Sequence, residues 1–149
     1  MSPTLEPVEQ HCTDTGVMIP LYRDWDEWHA GHKVHMVYTT SIAAGKSKGP
    51  ILHRVGTQLL TAIAGTVHIR YISHENLMND GEWFETLLRD TNNSNQQLIH
   101  IPPMTWYELW AYDVPDDGVV LNMPNLAWRP DYSDQVKATS WDNAKKAIV

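Results

Sequence analysis

The chain has 149 residues, which is enough for one domain with its own hydrophobic core. Hydrophobic residues make up 42% and charged residues 19%, as in a globular protein, and the single cysteine, Cys12, excludes an internal disulfide and a thiolate metal cluster. A net charge of −7 argues against an extended nucleic-acid-binding surface or an anionic membrane partner. No apolar run is long enough to span a membrane and the N-terminus lacks a signal-peptide pattern, so we expect a cytoplasmic protein.

The first half of the chain predicts strands separated by short turns. Residues 1–16 are polar and contain two prolines, so we expect an arm or a short edge element there. Polarity alternates over residues 34–40, which is typical of a strand with one buried face, and a loop centred on Gly45 follows. Three further strands are predicted at residues 58–64, 66–73 and 81–88, with a glycine turn at Gly65.

The second half continues the same pattern and ends in a helix. Turns are predicted at residues 92–95, at Pro102-Pro103 and at Asp116-Asp-Gly118. The strands between them are residues 97–101, 106–112 and 119–123. Only residues 140–148 read as helical, with Ser140 as the N-cap, Asp142 in the first turn, and Lys145 and Lys146 near the end.

This spacing of short strands predicts an all-β sandwich or barrel. We expect one domain over residues 1–149. It would consist of an N-terminal arm (1–16), a barrel (17–135) and a C-terminal tail with a short helix (136–149).

Two segments indicate chemistry, and two more support them. The first runs Lys48-Gly-Pro-Ile-Leu-His53 and continues through Gln58 to Gly65, and the second is Ile101-Pro-Pro-Met-Thr-Trp-Tyr107. With Val119-Val-Leu-Asn-Met-Pro124 and Trp128-Arg-Pro-Asp131, they resemble the cupin enzymes that act on nucleotide-linked 4-keto-6-deoxy sugars. These are the RmlC-like dTDP-4-dehydrorhamnose 3,5-epimerases and the related 3,4-ketoisomerases.

The resemblance covers about residues 14–135. It implies a cupin, or double-stranded β-helix (jelly-roll), barrel. It also implies a homodimer in which an N-terminal segment joins the neighbour's sheet.

The metal ligands of similar metal-binding cupins would fall on Ile51, His53, Gln58 and Tyr107. Only His53 is a strong ligand for a divalent ion, whereas catalytic zinc or iron needs three or four nitrogen, sulfur or oxygen ligands. We therefore expect no catalytic metal and no other cofactor.

Without a metal, the pocket would work by proton transfer. The resemblance places the catalytic base on His53, and an imidazole with a pKa near 6.5 suits removal of a proton next to a ketone. A buried histidine held by a backbone carbonyl is the alternative. The family's second proton-transfer groups would fall on Ile51 or Asn122, which cannot serve. Tyr107 is then either a proton donor to the enolate or a tyrosine that only lines the barrel.

The remaining candidates bind substrate. Gln58 and Asn122 would orient the sugar by their amides, although a structural hydrogen bond is the alternative for Asn122. Cationic side chains at Lys48, Arg54 and Arg70, with Arg23 as a further candidate, match phosphate oxygens, although solvated surface charges are the alternative. Trp106, with Trp110 and Trp128, could stack on a base or sugar ring, or pack in the core or an interface.

The sequence thus predicts a metal-independent isomerase or epimerase of a nucleotide-linked 4-keto-6-deoxy sugar. Two alternatives stay open. One is a cyclase or isomerase of specialised metabolism, with Ile51, Leu60 and Met104 shaping a non-sugar pocket. The other is a barrel that binds a ligand without turnover, which the missing second proton-transfer group favours.

Overall fold

The computed structural model describes residues 3–7, 9–26, 31–89, 96–111 and 116–148. These residues form strands and two short helices, in agreement with the predicted all-β fold and C-terminal helix. In chain order they are β1 (Thr4–Pro7), β2 (His11–Thr13), β3 (Gly16–Met18), β4 (Tyr38–Ile42), β5 (Ser47–His53), β6 (Gln58–Ala64), β7 (Thr66–Ser73), α1 (His74–Met78), β8 (Phe84–Arg89), β9 (Gln97–Ile101), β10 (Thr105–Ala111), β11 (Gly118–Asn122), β12 (Gln135–Lys137) and α2 (Trp141–Ala147).

The hydrophobic core lies between two five-stranded antiparallel sheets. The first sheet has the order β1-β9-β6-β11-β4 and the second the order β12-β5-β10-β7-β8, while β2 and β3 form a separate hairpin. Alternation along β7 buries Val67, Ile69 and Tyr71 and leaves His68 and Arg70 partly exposed. Inward-facing side chains of both sheets form the core cluster, so the sheets pack face to face.

Several strands begin and end where the sequence pattern places them. Residues 58–64, 66–73 and 97–101 are β6, β7 and β9. The strand predicted over residues 34–40 instead begins at Tyr38. The preceding residues cover the outside of the first sheet, where Val34 packs against Leu59, Leu98 and Met123. The turn predicted at residues 92–95 lies outside the described residues.

The β6–β7 turn depends on its glycine. Gly65 has a φ of +68°, and a Cβ there would lie 2.6 Å from the backbone oxygen of Asp117. A side chain would therefore be strained and would also collide with backbone. The glycine turn predicted from the sequence is present.

Two helices cover part of the outer face of the second sheet. The N-cap of α2 is Ser140, as predicted, and its Oγ accepts a hydrogen bond from Asn143 N at 3.1 Å. The helix α1 was not predicted from the sequence. It is short, and its N-cap is Ser73, the last residue of β7. Neither helix has the length and apolar character needed to span a membrane.

The predicted N-terminal arm contributes an edge strand. β1 pairs with β9 of the same chain, with Thr4 opposite His100 and Pro7 opposite Gln97. Dimerisation through this segment stays a prediction.

Candidate functional site

A cavity of about 320 Å³ opens between the sheets, and we call it the barrel cavity. Both sheets and the segment after β11 contribute to it. The buried side chains His53, Gln58, Tyr107 and Asn122 lie along it, whereas Lys48 is exposed. The structure therefore brings together five of the eight residues predicted for the site. Its other lining residues are Met36, Tyr38, Thr40, Ile51, Leu109, Pro124, Leu126, Ala127, Trp128, Tyr132, Asp134, Gln135 and Lys137.

His53 and Tyr107 lie side by side in the barrel cavity. They belong to the paired strands β5 and β10, and their ring centroids are 6.0 Å apart with planes inclined by 23°. Burial lowers the pKa of His53 below its usual value near 6.5, and the charge of Asp134 opposes this shift in part. The imidazole is therefore neutral at physiological pH and can accept a proton.

The alternative interpretation of His53 predicted a backbone carbonyl as the partner of its ring. Within the described ranges, the imidazole donates to no carbonyl. The backbone oxygen of His53 instead accepts from Met104 N at 2.8 Å, which fixes the end of β5. The ring is thus left available to a ligand.

Tyr107 is buried, with 2% of its surface exposed. Burial raises its pKa well above the usual value, and the neighbouring Tyr38 raises it further. Burial also raises the pKa of Tyr38. Both hydroxyls are consequently protonated at neutral pH and can donate hydrogen bonds.

Sequence reasoning did not select Tyr38 for the site. The alternation over residues 34–40 places Tyr38 on one face with Val34, Met36 and Thr40. Met36, Tyr38 and Thr40 line the barrel cavity, whereas Val34 packs on the outside of the first sheet.

Asp134 holds the loop that follows His53 in place by hydrogen bonds. Its carboxylate accepts hydrogen bonds from Val55 N and Gly56 N, each at 2.7 Å, and its backbone oxygen accepts from Arg54 N at 3.1 Å. A Cβ at Gly56 would lie 2.7 Å from Asp134 Oδ2, so a side chain there would displace this carboxylate. Asp134 thus positions the loop through charge-assisted bonds and also acts on the pKa of His53.

We expect Asp134→Asn to lower the pKa of His53 further below 6.5, because the substitution removes the negative charge that raises it. An NMR titration of the imidazole measures this directly. Asp131→Asn is the matched control, since the exposed Asp131 pairs with Arg129 and does not contribute to the His53 shift. An unchanged or raised pKa in Asp134→Asn, with the fold intact, would contradict the coupling.

Amide groups line the part of the cavity contributed by the first sheet. Thr40 Oγ1 donates to Asn122 Oδ1 at 2.9 Å, which fixes the orientation of that amide and leaves its NH₂ as the donor. Gln58 is 3% exposed, and its Oε1 has no partner among the described residues. A buried polar atom without a hydrogen-bond partner is energetically costly. A polar ligand that donates to Gln58 Oε1 would remove that cost.

The exposed lining residues mark the open end of the cavity. Lys48 on β5 and Lys137 on β12 both line the cavity and are exposed. Trp128 is 70% exposed there, and its backbone N donates to Met36 Sδ at 3.4 Å. This end combines positive charge with exposed aromatic surface.

Three predicted site residues do not line the barrel cavity. Arg70 lies on the outer face of β7, because Ile69 and Tyr71 take the inward positions, and its guanidinium carbon lies 3.9 Å from the ring centroid of Trp83. Trp106 is fully buried beneath the helices, where its Nε1 donates to His74 Nδ1 at 3.1 Å. Arg54 is exposed on the loop after β5.

Other candidates raised by the sequence are also placed elsewhere. Arg23 pairs with Glu9 and Asp26 at 3.2 and 3.0 Å. Leu60 and Met104, expected to shape a non-sugar pocket, are absent from the lining, whereas Ile51 is part of it. Over the described residues, no three His, Cys, Asp or Glu side chains converge to hold a metal ion. Metal independence stays a prediction.

Comparison with known families gives one match. The model of the family described as "WxcM-like, C-terminal" (FdtA) matches residues 14–138. A comparison with curated proteins gives no match.

Solved structures share this fold at low sequence identity. A dTDP sugar isomerase from Desulfovibrio desulfuricans G20 is 19% identical, with a TM-score of 0.77 over 94% of this chain and 90% of that chain. QdtA, a sugar 3,4-ketoisomerase from Thermoanaerobacterium thermosaccharolyticum solved with TDP, is 19% identical, with a TM-score of 0.71 over 99% and 98%. The rmlC epimerase of Mycobacterium tuberculosis is 13% identical, with a TM-score of 0.75 over 97% and 72%. The predicted resemblance to RmlC-like cupins is thereby confirmed.

Proposed function

We propose, since the chain belongs to the WxcM-like, C-terminal family, that it is an isomerase or epimerase of a nucleotide-linked 4-keto-6-deoxy sugar. The observation that carries this proposal is that the rings of His53 and Tyr107 stack side by side within one cavity. Burial there lowers the pKa of the imidazole and raises the pKa of the phenol. A base and a hydrogen-bond donor side by side suit removal of a proton next to a carbonyl. The similar QdtA was solved with TDP, which supports a nucleotide-linked substrate.

In this proposal His53 takes the proton from the carbon next to the ketone. The C–H electron pair becomes a carbon–carbon double bond, and the carbonyl π electrons move to the oxygen. Tyr107 donates a hydrogen bond to that oxygen as its negative charge develops. A preorganised donor in a buried site stabilises such charge more than water does.

The other lining residues bind and orient the substrate. The amides of Asn122 and Gln58 hold sugar hydroxyls. Lys48 binds the pyrophosphate at the open end, and Lys137, which the sequence reasoning did not select, is placed to assist. The exposed ring of Trp128 offers a surface for the base.

Ile51 favours a second candidate function. It lines the cavity where the resembling ketoisomerases carry a second histidine, and its side chain cannot move a proton. A ligand-binding barrel without turnover would have this arrangement.

One experiment separates the two. The protein is incubated in D₂O with dTDP-4-keto-6-deoxyglucose, and deuterium uptake next to the ketone is followed by NMR against the same sugar without protein. Protein-dependent exchange supports the enzyme. A thermal shift with this sugar but no exchange above the background would replace it with the binding function.

A further inference from the structure

A second groove, with a volume of about 390 Å³, lies on the outer face of the second sheet, and we call it the outer groove. Residues 45–47 line one part of it, and Arg70, Glu108, Trp110 and Ala111 line the rest. Among the described residues, it shares none with the barrel cavity. Its volume lies in the range of roughly 300–1,000 Å³ that is usual for small-ligand sites.

Trp110 forms an aromatic wall of the outer groove. His68 is its partner on β7 and stacks on it, with ring centroids 5.5 Å apart and planes inclined by 14°. The partner of Trp110 on β5 is Ser47, which lines the groove, whereas His68 does not. The groove therefore lies on the side of Trp110 away from His68. A flat indole at such a wall can stack on the apolar face of a sugar ring.

The guanidinium of Arg70 is held in place by two tryptophans. Its central carbon lies 3.9 Å from the ring centroid of Trp83 and 5.5 Å from that of Trp141. The two indoles pack edge to face, with centroids 4.5 Å apart. Over the described residues, Arg70 forms no ion pair and no hydrogen bond. Its N–H groups are thus preorganised and available to an anion.

Glu108 offers the opposite charge beside that guanidinium. It lies directly opposite Arg70 in the β7–β10 pairing, and both side chains line the outer groove. They form no ion pair, since Arg70 stacks on the tryptophans instead. A ligand between them can donate a hydroxyl to Glu108 and accept hydrogen bonds from Arg70.

Lys46 adds a second cation at the loop that precedes β5. Gly45 N donates to the backbone oxygen of Ala111 at 2.9 Å, and Ala111 N donates to that of Lys46 at 3.3 Å, so the loop is fixed against the end of β10. Lys46 is exposed and has no ion-pair partner in the part of the chain that the structure describes. Two cations and one carboxylate leave the groove with an excess of positive charge.

We propose that the outer groove binds an anionic sugar, a pyranose ring that carries a carboxylate or a phosphate. Arg70 and Lys46 bind the anionic group, and Glu108 accepts hydrogen bonds from the hydroxyls of the ring. Trp110 stacks on the ring itself. This site is separate from the barrel cavity and does not depend on the reaction proposed there.

The test is an NMR titration of the ¹⁵N-labelled chain with D-glucuronate and, separately, with D-glucose 6-phosphate. We expect saturable shifts of the Trp110 indole N–H and of the amides of residues 45–47. Binding of glucuronate alone assigns a carboxylate ligand, binding of the sugar phosphate alone assigns a phosphate ligand, and binding of both supports the shared chemistry. D-glucose and inorganic phosphate should each bind at least about tenfold more weakly, because each lacks one half of the contacts.

Variants connect the binding to the named side chains. Arg70→Gln and Glu108→Gln should each raise Kd by about tenfold, since each removes hydrogen bonds to a charged group. Arg54→Gln is the matched control, because Arg54 is exposed and lines neither cavity, and its Kd should equal that of the wild type. Glu108→Gln keeps the shape of the side chain, so it tests the site even if Arg70→Gln does not fold.

Three results would overturn the proposal. The first is the absence of saturable shifts with either anionic sugar, which requires no variant. The second is that the shifts fall on the side-chain amides of Gln58 and Asn122, which would place the ligand in the barrel cavity. The third is an unchanged Kd in folded Glu108→Gln.

Discussion

We expect His53→Asn to lower the rate of deuterium exchange next to the ketone by about 10²- to 10⁴-fold, the contribution typical of a general base. Asparagine keeps hydrogen-bonding capacity but cannot accept the proton at neutral pH. His53 is 8% exposed, so the smaller side chain fits without overpacking. NMR of the sugar in D₂O measures the rate.

The control is His11→Asn, since His11 lies in the β2–β3 hairpin beside Glu9 and away from the cavity. In the wild type the acid limb of kcat/KM should lie below pH 6.5. The base must be neutral, and burial lowers its pKa, so activity persists until the pH falls through that lowered value. Full exchange in folded His53→Asn would remove His53 from the mechanism.

We expect Trp106→Ala to lower the free energy of unfolding by about 3–5 kcal/mol, the usual cost of truncating a buried tryptophan. The side chain is fully buried and packs with Leu52, Ile72 and Leu77 under the two helices. The substitution also removes its hydrogen bond to His74 Nδ1. Urea unfolding followed by circular dichroism measures the loss.

Trp128→Ala is the control for that experiment. Trp128 is 70% exposed, so its removal should change stability by less than about 0.5 kcal/mol. Trp106→Phe keeps most of the packing and should leave the KM for a nucleotide sugar unchanged. A raised KM in Trp106→Phe, with stability preserved, would return Trp106 to the substrate-binding set that the sequence suggested.

Local pattern was sufficient for most strands and for the C-terminal helix. Period-two alternation depends on neighbouring residues, so it indicated β7 and placed Tyr38 and Thr40 on one face, while the turns at Gly65 and Pro102-Pro103 bounded β6 and β9. The cap at Ser140 is likewise local. Helix α1 is only five residues long, too short for a helical period to show in the sequence.

The site residues also include some that the sequence indicated and one that it did not. His53, Gln58, Tyr107 and Asn122 were selected because they fall in the segments that resemble the cupin enzymes, and all four line the barrel cavity. Asp134 was missed, since its bonds to Val55 and Gly56 join positions 79 and 78 residues apart in the chain. A pattern among neighbouring residues cannot indicate a contact between positions so far apart in the chain.

The sequence by itself indicated the all-β fold, the strands from β6 to β11 and His53 as the candidate base. Only the tertiary structure decided that Arg70 stacks outward on Trp83, that Trp106 lies beneath the helices, and that Tyr38 and Tyr107 line the same cavity. The reason is physical: alternation fixes which side chains share a face of a strand, but the packing of sheets and helices decides what each face meets.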